Sequence, residues 1–370
     1  MEIASGALQG GIYRAIGRYH ARHAERGGSS DRRMFGLAEP AIDIQRVTKR
    51  FRDKVAVDDL TLGVPMGSVC GFLGPNGAGK TTTIRMVMSI FPPTRGEIRV
   101  LGRDSAIESK DRIGYLPEER GVYRKMKVAD FLTYIGVLKG VERAALKRWI
   151  PEWLERVELP GVERRKCEEL SKGMQQKVQF LATIIHDPDL VILDEPFSGL
   201  DPVNGRLLRT LIDDLKSAGK TIIFSTHVLH QAEQLCDRIF MINRGKKILD
   251  GPIEEIRQAH NPRSLIVEPV DGVGREMEER LSGLLGVNAL RRVVQSGSTP
   301  AHFELSLDHN ADGQAVTAEV ARRVPIRRLE TRRATLEDIF VSLVDTGDSG
   351  DSIRAALSED AAIGSAEVTA

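Results

Sequence analysis

Residues 74–81 read GPNGAGKT, a spacing that fits the phosphate loop G-x-x-x-x-G-K-[ST]. Gly74, Gly77 and Gly79 allow backbone N–H groups to close around phosphate oxygens, and Pro75, Asn76 and Ala78 carry the chain between them. Lys80 supplies a cation for the outer phosphates and Thr81 offers a hydroxyl to Mg²⁺. Thr82 enters a helix whose positive N-terminal dipole adds to the anion site. Residues 74–82 are therefore expected to bind a nucleoside triphosphate.

A second chemical unit is LVILDEP at residues 190–196, apolar until it delivers Asp194 and Glu195. Ligands of open α/β sheets bind at the carboxyl ends of the strands. There Asp194 is expected to hold Mg²⁺ beside Thr81, directly or through water. Glu195 is expected to polarise an attacking water as general base. An isolated Asp-Glu at a strand end also reads as a solvated helix cap, but a phosphate loop upstream in the same domain weakens that reading.

These side chains need a frame. Residues 67–73 (GSVCGFL) read as a buried strand, and Thr82, Ile84, Met86, Val87 and Ile90 have the spacing of a helix covered on most sides. From residue 41 to about 251, short β-rich runs alternate with helical ones, the pattern of an α/β domain with a largely parallel sheet. The clearest strands are 41–47, 67–73, 190–193, 221–225 and 238–243. Between residues 127 and 186 helical periodicity takes over, which predicts an inserted helical subdomain. After Pro262 the order is strand 264–267, helix 276–285, strands 289–294 and 302–307, helix 314–324 and strand 326–330. That β-α-β-β-α-β order predicts a small α+β domain of ferredoxin-like topology. A last helix starts near Thr335, whose spacing to Asp338 suggests a capping arrangement, with an apolar stripe of Leu336, Ile339, Phe340 and Leu343. The stripe packs on its own domain or forms a dimer seam.

The chain has 370 residues, 41% of them hydrophobic, enough for two domains with real cores. Its formal net charge of +1 gives no global field for DNA, RNA or anionic lipid, so nucleic acid is not an expected partner. Cys70, Cys167 and Cys236 form no C-x-x-C pair, which removes zinc-ribbon and dithiol readings and suits a reducing cytosol. No apolar run approaches the roughly 18 residues needed to span a bilayer. Residues 1–40 carry glycine pairs and spaced arginines without the apolar core of a secretory signal, and Met34 is an alternative start. The expected organisation is a flexible extension over 1–40, a nucleotide-binding domain over 41–260 with the helical subdomain at about 121–187, an accessory domain over 261–345, and a disordered acidic tail over 346–370.

Between the phosphate loop and LVILDEP lies LSKGMQQK at 170–177; SGLDP follows at 198–202 and STH at 225–227. In this order the motifs closely resemble the nucleotide-binding subunit of ATP-binding cassette (ABC) transporters, over roughly residues 41–251. The resemblance implies a P-loop ABC cassette that binds ATP and Mg²⁺. It implies that Ser171 and Gly173 contact the γ-phosphate of ATP held by a second subunit, so that a homodimer, or a pair with a similar subunit, sandwiches two nucleotides. It further implies that His227 is the switch histidine at the γ-phosphate, that Asp201 lies at the dimer seam, and that Phe51 stacks on adenine. Capping of the next helix by Asp201 is compatible with its seam role.

Three positions depart from the pattern. Glu118, in IGYLPEERG, stands where the family has Gln, near Mg²⁺ or the attacking water, with Glu119 beside it. A carboxylate binds Mg²⁺ more strongly than an amide but repels the γ-phosphate, and both outcomes stay open. Lys172 and Met174 replace the usual third and fifth residues of the LSGGQ signature, while Ser171 and Gly173 remain. The resemblance thus implies an ATPase, with Lys80, Glu195 and His227 catalytic, that drives a separate polytopic membrane permease from the cytoplasmic face. LPEERG, LSKGM and the C-terminal LEDIF resemble the exporter-type branch that includes sodium-efflux and drug-resistance ATPases. The alternative is a soluble ABC ATPase without a permease.

Overall fold

The computed structural model describes residues 39–119, 121–261, 263–294 and 300–344. The expectations for residues 1–38 and 345–370, the flexible extension and the tail, lie outside the described residues. The chain divides into two compact units between Ile253 and Glu254.

The first unit is built on a six-stranded sheet of order β5-β6-β7-β3-β8-β9. Its strands are β3 (Val69–Leu73), β5 (Ile113–Leu116), β6 (Leu190–Asp194), β7 (Thr221–Thr226), β8 (Arg238–Asn243) and β9 (Lys246–Pro252). Only β9 runs antiparallel to its neighbour. Every residue of β3, β6 and β7 is buried, as expected for parallel strands covered on both faces.

A three-stranded antiparallel sheet, order β2-β1-β4, was not legible as such in the sequence. It comprises β1 (Ile42–Phe51), β2 (Lys54–Val64) and β4 (Arg95–Val100). The run 41–47 therefore belongs to a separate antiparallel sheet and not to the parallel one. Irregularities between Ile44 and Val47, with Arg46 at φ +49°, break the two-residue alternation by which such strands are recognised. Helix α1 (Lys80–Val87) lies between the two sheets, its Ile84 and Val87 sharing one core cluster with Ile42, Ile44, Phe72 and Ile192.

The region from Lys127 to His186 is helical as predicted: α2 (Val128–Leu138), α3 (Arg143–Arg156) and α4 (Lys172–Ile184). Helices α5 (Pro202–Ser217) and α6 (Leu229–Leu235) follow β6 and β7.

The second unit begins within α7 (Ile253–Ala259). It contains β10 (Ser264–Pro269), α8 (Arg275–Leu281), β11 (Val287–Val293), β12 (His302–Leu307), α9 (Gly313–Arg323), β13 (Ile326–Arg332) and α10 (Leu336–Val344). The sheet order β11-β12-β10-β13, all antiparallel, is the ferredoxin-like arrangement that the order of elements predicted. Thr335 and Asp338 cap α10 reciprocally: the Asp338 N–H donates to Thr335 Oγ1 at 3.1 Å and the Thr335 N–H to Asp338 Oδ2 at 3.3 Å. Leu336, Ile339 and Phe340 are buried, joined by Val341, whereas Leu343 faces outward.

Gly114 lets β5 pack against α4, because a side-chain carbon there would collide with the Thr183 carbonyl oxygen and approach Pro188 to 3.1 Å. Overpacking of this kind costs about 1–3 kcal/mol. Gly114→Ala is therefore expected to lower the urea unfolding midpoint of the first unit; an unchanged midpoint would show that β5 and α4 are free to separate.

Candidate active site

Parallel pairing brings the ends of several strands to one edge of the large sheet. Leu73 is level with Thr226, Asp194 with Ser225, and Leu116 with Leu193. The phosphate loop, the Asp194–Glu195 pair, His227 and Glu118 all follow directly from these strand ends, at the edge where such sheets bind ligands.

The glycines of the loop serve different needs. Gly74 and Gly79 have φ of +150° and +111°, and both lie against backbone: a side chain on Gly74 would strike the Ile242 carbonyl oxygen, and one on Gly79 would come within 2.6 Å of the Ala56 carbonyl oxygen. Gly77, at φ +78°, has nothing within 4 Å of where a side chain would begin. That open cradle fits a bound phosphate chain. Pro75 and Asn76 are the outer residues of the loop, Ala78 is buried beneath it, and Thr82 lies in the first turn of α1.

Lys80 Nζ donates to the Gly74 carbonyl at 2.7 Å and to the Pro75 carbonyl at 3.4 Å. It also stands 3.6 Å from Glu195 Oε1, with both side chains less than a tenth exposed. Burial holds the Lys80 amine below its ordinary pKa, and the Glu195 carboxylate works against that shift. The same Glu195 oxygen meets His227 Nδ1 at 3.0 Å. Lys80, Glu195 and His227 therefore form one connected chain. Glu195 is held at φ +49°, and its N–H donates to the Ser225 carbonyl and hydroxyl at 3.2 and 3.1 Å. Such backbone strain persists only where surrounding bonds over-determine it, a common feature of functional sites.

Asp194 is almost wholly buried, which raises its carboxyl pKa; hydrogen bonds from Ser225 and Thr81 pull the other way. Thr81 Oγ1 donates to Asp194 Oδ1 at 3.4 Å, and the Ser225 hydroxyl donates to that oxygen too. Asp194 Oδ2 is buried without a hydrogen-bond partner. An orphan carboxylate oxygen beside a threonine hydroxyl fits a hard cation such as Mg²⁺. Among the described residues no three His, Cys, Asp or Glu side chains gather as a metal cage. Mg²⁺ would therefore take its other ligands from phosphate and water, as it commonly does.

Glu118 lies just past β5. Desolvation first, then the charges of Asp194 and Glu195, hold its carboxyl above the usual range, while Lys80 and Arg85 oppose the shift. Glu118 thus belongs electrostatically to the carboxylate group of the site. Phe51 sits at the β1–β2 turn with 46% of its surface exposed.

The remaining predicted residues make a separate patch. Ser171 caps α4, its Oγ accepting from the Met174 N–H at 3.3 Å. Asp201 caps α5, its Oδ1 accepting from the Val203 and Asn204 N–H groups at 2.9 Å each. These bonds, the Asn204 backbone first, lower the Asp201 pKa. The Asn204 side-chain amide also donates to Asp201 and comes within 3.1 Å of where a side chain on Gly173 would begin. Asn204 therefore links the two motifs that the resemblance assigns to a subunit seam. The side-chain hydrogen bonds of Ser171 and Asp201 run to the first turns of their own helices. Lys172, also in the first turn of α4, is exposed.

The family model described as "ABC transporter" matches residues 57–198, and one described as "ATP-binding protein DrrA1-3-like, C-terminal domain" matches residues 251–344. The chain is 38% identical over 303 residues to the uncharacterized ABC transporter ATP-binding protein YhaQ of Bacillus subtilis (strain 168), covering 82% of this chain and 98% of that protein. The chain belongs to the ABC transporter ATP-binding proteins. It is also 33% identical over 313 residues to the Nod factor export ATP-binding protein I of Sinorhizobium fredii (strain NBRC 101917 / NGR234), covering 83% of this chain and 86% of that one. A solved structure titled "Structure of ATP binding subunit of ABC transporter" matches at 29% identity with a TM-score of 0.56, over 59% of this chain and 92% of that chain. The chain is thus an ATP-binding ABC transporter subunit, an ATPase that powers transport through a separate permease.

Sequence reasoning missed Ser225 as the group that holds both Asp194 and the Glu195 backbone, and Asn204 as the link between Gly173 and Asp201. Ser225 was visible only as the first letter of STH, and Asn204 carried no signal. In this transporter ATPase, replacing Glu118 by Gln removes one of the site's carboxylates. Glu118→Gln is expected to raise the Mg²⁺ concentration for half-maximal ATP hydrolysis several-fold; superimposable Mg²⁺ titrations would separate Glu118 from the cation site.

Proposed function

We propose that two copies of this chain, or one copy and a similar subunit, close around two Mg²⁺-ATP and drive export through a membrane permease. The observation that carries the catalytic part is the connected set Lys80–Glu195–His227 beside Thr81 and Asp194. In this reading residues 41–260 do the nucleotide chemistry, the helical residues at about 121–187 pass it on, and residues 261–345 are accessory. The Nod factor export ATP-binding protein supports the export direction. No helix among the described residues is long and apolar enough to cross a membrane, in keeping with attachment at the cytoplasmic face through the permease.

Residues 74–82 bind the phosphates, with Lys80 turning from the Gly74 and Pro75 carbonyls toward their charge. Thr81 and Asp194 would hold Mg²⁺, with the Glu118 carboxylate in the same acidic group. When bound, Mg²⁺ would neutralise phosphate charge and stabilise the charge that develops on the leaving phosphate. Glu195 accepts the proton of the attacking water, and His227 orients the Glu195 carboxylate and the terminal phosphate. Ser171, Gly173 and Asp201 act in trans, on nucleotide held by the other copy. Phe51 offers its exposed ring to adenine.

General-base catalysis contributes about 10²–10⁴-fold. Glu195→Gln is therefore expected to cut ATP turnover by at least about 100-fold while ATP and Mg²⁺ shift the chain from monomer to dimer in size-exclusion chromatography. Wild-type turnover in the variant would remove Glu195 as base, and a monomer under saturating ATP would remove the shared site.

The segment after Glu118 leads to a surface suited to a permease. Tyr123 is half exposed and packs edge-on against Phe131 and Tyr134, at ring distances of 6.0 and 5.6 Å. Met126 is tied to this turn by its N–H to the Tyr123 carbonyl at 3.0 Å. Tyr123→Ala is expected to lower the ratio of permease-stimulated to basal ATPase severalfold; an unchanged ratio would move the coupling surface elsewhere.

A further inference from the structure

The ring of Phe51 is not a free platform. Phe91 meets it edge-on, with centroids 5.5 Å apart and planes at 84°. Lys49 Nζ lies over both rings, 5.1 Å from the Phe51 centroid and 4.7 Å from that of Phe91. That ammonium is fixed by a 2.6 Å hydrogen bond to the Pro92 carbonyl. Two further bonds tie the Phe91 loop to β1: the Thr94 N–H donates to the Thr48 carbonyl at 2.8 Å, and the Arg50 N–H to Thr94 Oγ1 at 3.1 Å.

The cluster also connects to the phosphate loop through covalent structure. Phe51 pairs with Lys54, and two residues further along β2 the Ala56 carbonyl abuts Gly79. Two strand residues span about 7 Å, a scale that suits one nucleotide reaching from ring to loop. Phe91 itself lies a few residues past the end of α1, the helix whose N-terminus closes the phosphate loop. One short helix therefore joins the phosphate-binding residues to the support of the ring.

We propose that Lys49 and Phe91 are positioning residues for base recognition, holding Phe51 so that its open face receives the adenine ring. This rests on the adenine-stacking reading of Phe51. An edge-on neighbour fixes the plane of Phe51 and lowers the ordering cost of binding, because the platform is rigid before the base arrives. The cation over one face draws π density toward itself and leaves the opposite face less repulsive to the π cloud of a purine. The phosphate chain is read independently, by residues 74–82. On this proposal Lys49 and Phe91 act through the Phe51 ring, which both contact.

The test measures affinity of the full-length chain for ATP and for tripolyphosphate, which carries the phosphates without a base, by titration calorimetry. Phe91→Ala and Lys49→Met are each expected to weaken ATP binding about 2- to 10-fold, the range of one aromatic or cation–π contact, and to leave tripolyphosphate affinity within about twofold. Phe91→Leu, which keeps the apolar bulk, is expected to weaken ATP in the same way with an unchanged unfolding midpoint. The double variant Phe51→Ala/Phe91→Ala should bind ATP no more weakly than Phe51→Ala alone. Wild-type ATP affinity in Phe91→Ala, where Phe51→Ala does weaken ATP, would overturn the proposal and leave the stacking reading intact. Equal losses for ATP and tripolyphosphate would also overturn it, by making Phe91 a general structural support. Wild-type ATP affinity in Phe51→Ala would remove the stacking reading itself.

Discussion

Asp194 lies level with Ser225 across β6 and β7, and Leu73 lies level with Thr226 across β3 and β7. This parallel register is the constraint on which the site depends. A slip of one residue would turn each strand's side chains to the opposite face and separate Asp194 from the Ser225 hydroxyl that holds it. The same Ser225 accepts the Glu195 N–H and so stabilises the left-handed backbone that aims the second carboxylate at Lys80. One serine thus sets the positions of two acids with different tasks. Its role carries no local sequence signal, because its partners lie at and just past the end of β6, 30 and 31 residues away.

What could be read from the sequence was whatever is encoded locally. The phosphate loop needs its glycines, lysine and threonine within one short run, and Asp194 and Glu195 follow one uninterrupted apolar strand, so both were legible before any geometry. The ferredoxin-like order of the second unit was legible for the same reason: its strands and helices keep regular periods. The antiparallel sheet was not, because irregular pairing near Arg46 blurs the alternation of β1. Leu343 fits the apolar stripe of α10 by spacing but faces outward, and Val341 is buried instead. Helical spacing assigns a face only to within a residue or so at a helix end.

Glu118 adds a further carboxylate to an edge that is already acidic, and only nearby cations offset it. Burial and the neighbouring Asp194 and Glu195 push the Glu118 carboxyl upward, while Lys80 and Arg85 offset part of the repulsion. Lys80 is shared: it neutralises Glu195 across 3.6 Å and bonds the loop's own carbonyls. On the proposed reading, a phosphate entering the cradle would compete with Glu195 for that ammonium. With Lys80 turned to the phosphate, the carboxylates would need another counter-charge, and the unpartnered Asp194 Oδ2 is the oxygen best disposed to accept it. Nucleotide and cation are therefore expected to bind more strongly together than apart, a coupling rooted in the scarcity of positive charge at a buried acidic edge.

The patch around Asn204 follows a different logic. Ser171 takes the N–H of Met174, the third residue of α4's first turn, and Asp201 does the same for two N–H groups of α5. Helix geometry still directs the N–H groups of Lys172 and Gly173 outward along the axis, toward whatever stands before the helix end. Gly173 cannot gain a side chain without crowding the Asn204 amide that is bonded to Asp201. A substitution at any one of Gly173, Asp201 or Asn204 therefore disturbs the other two. On the proposed reading, a nucleotide held by another subunit would be read by the three as a unit, whereas the phosphate loop would read its own nucleotide through residues that are consecutive in the chain.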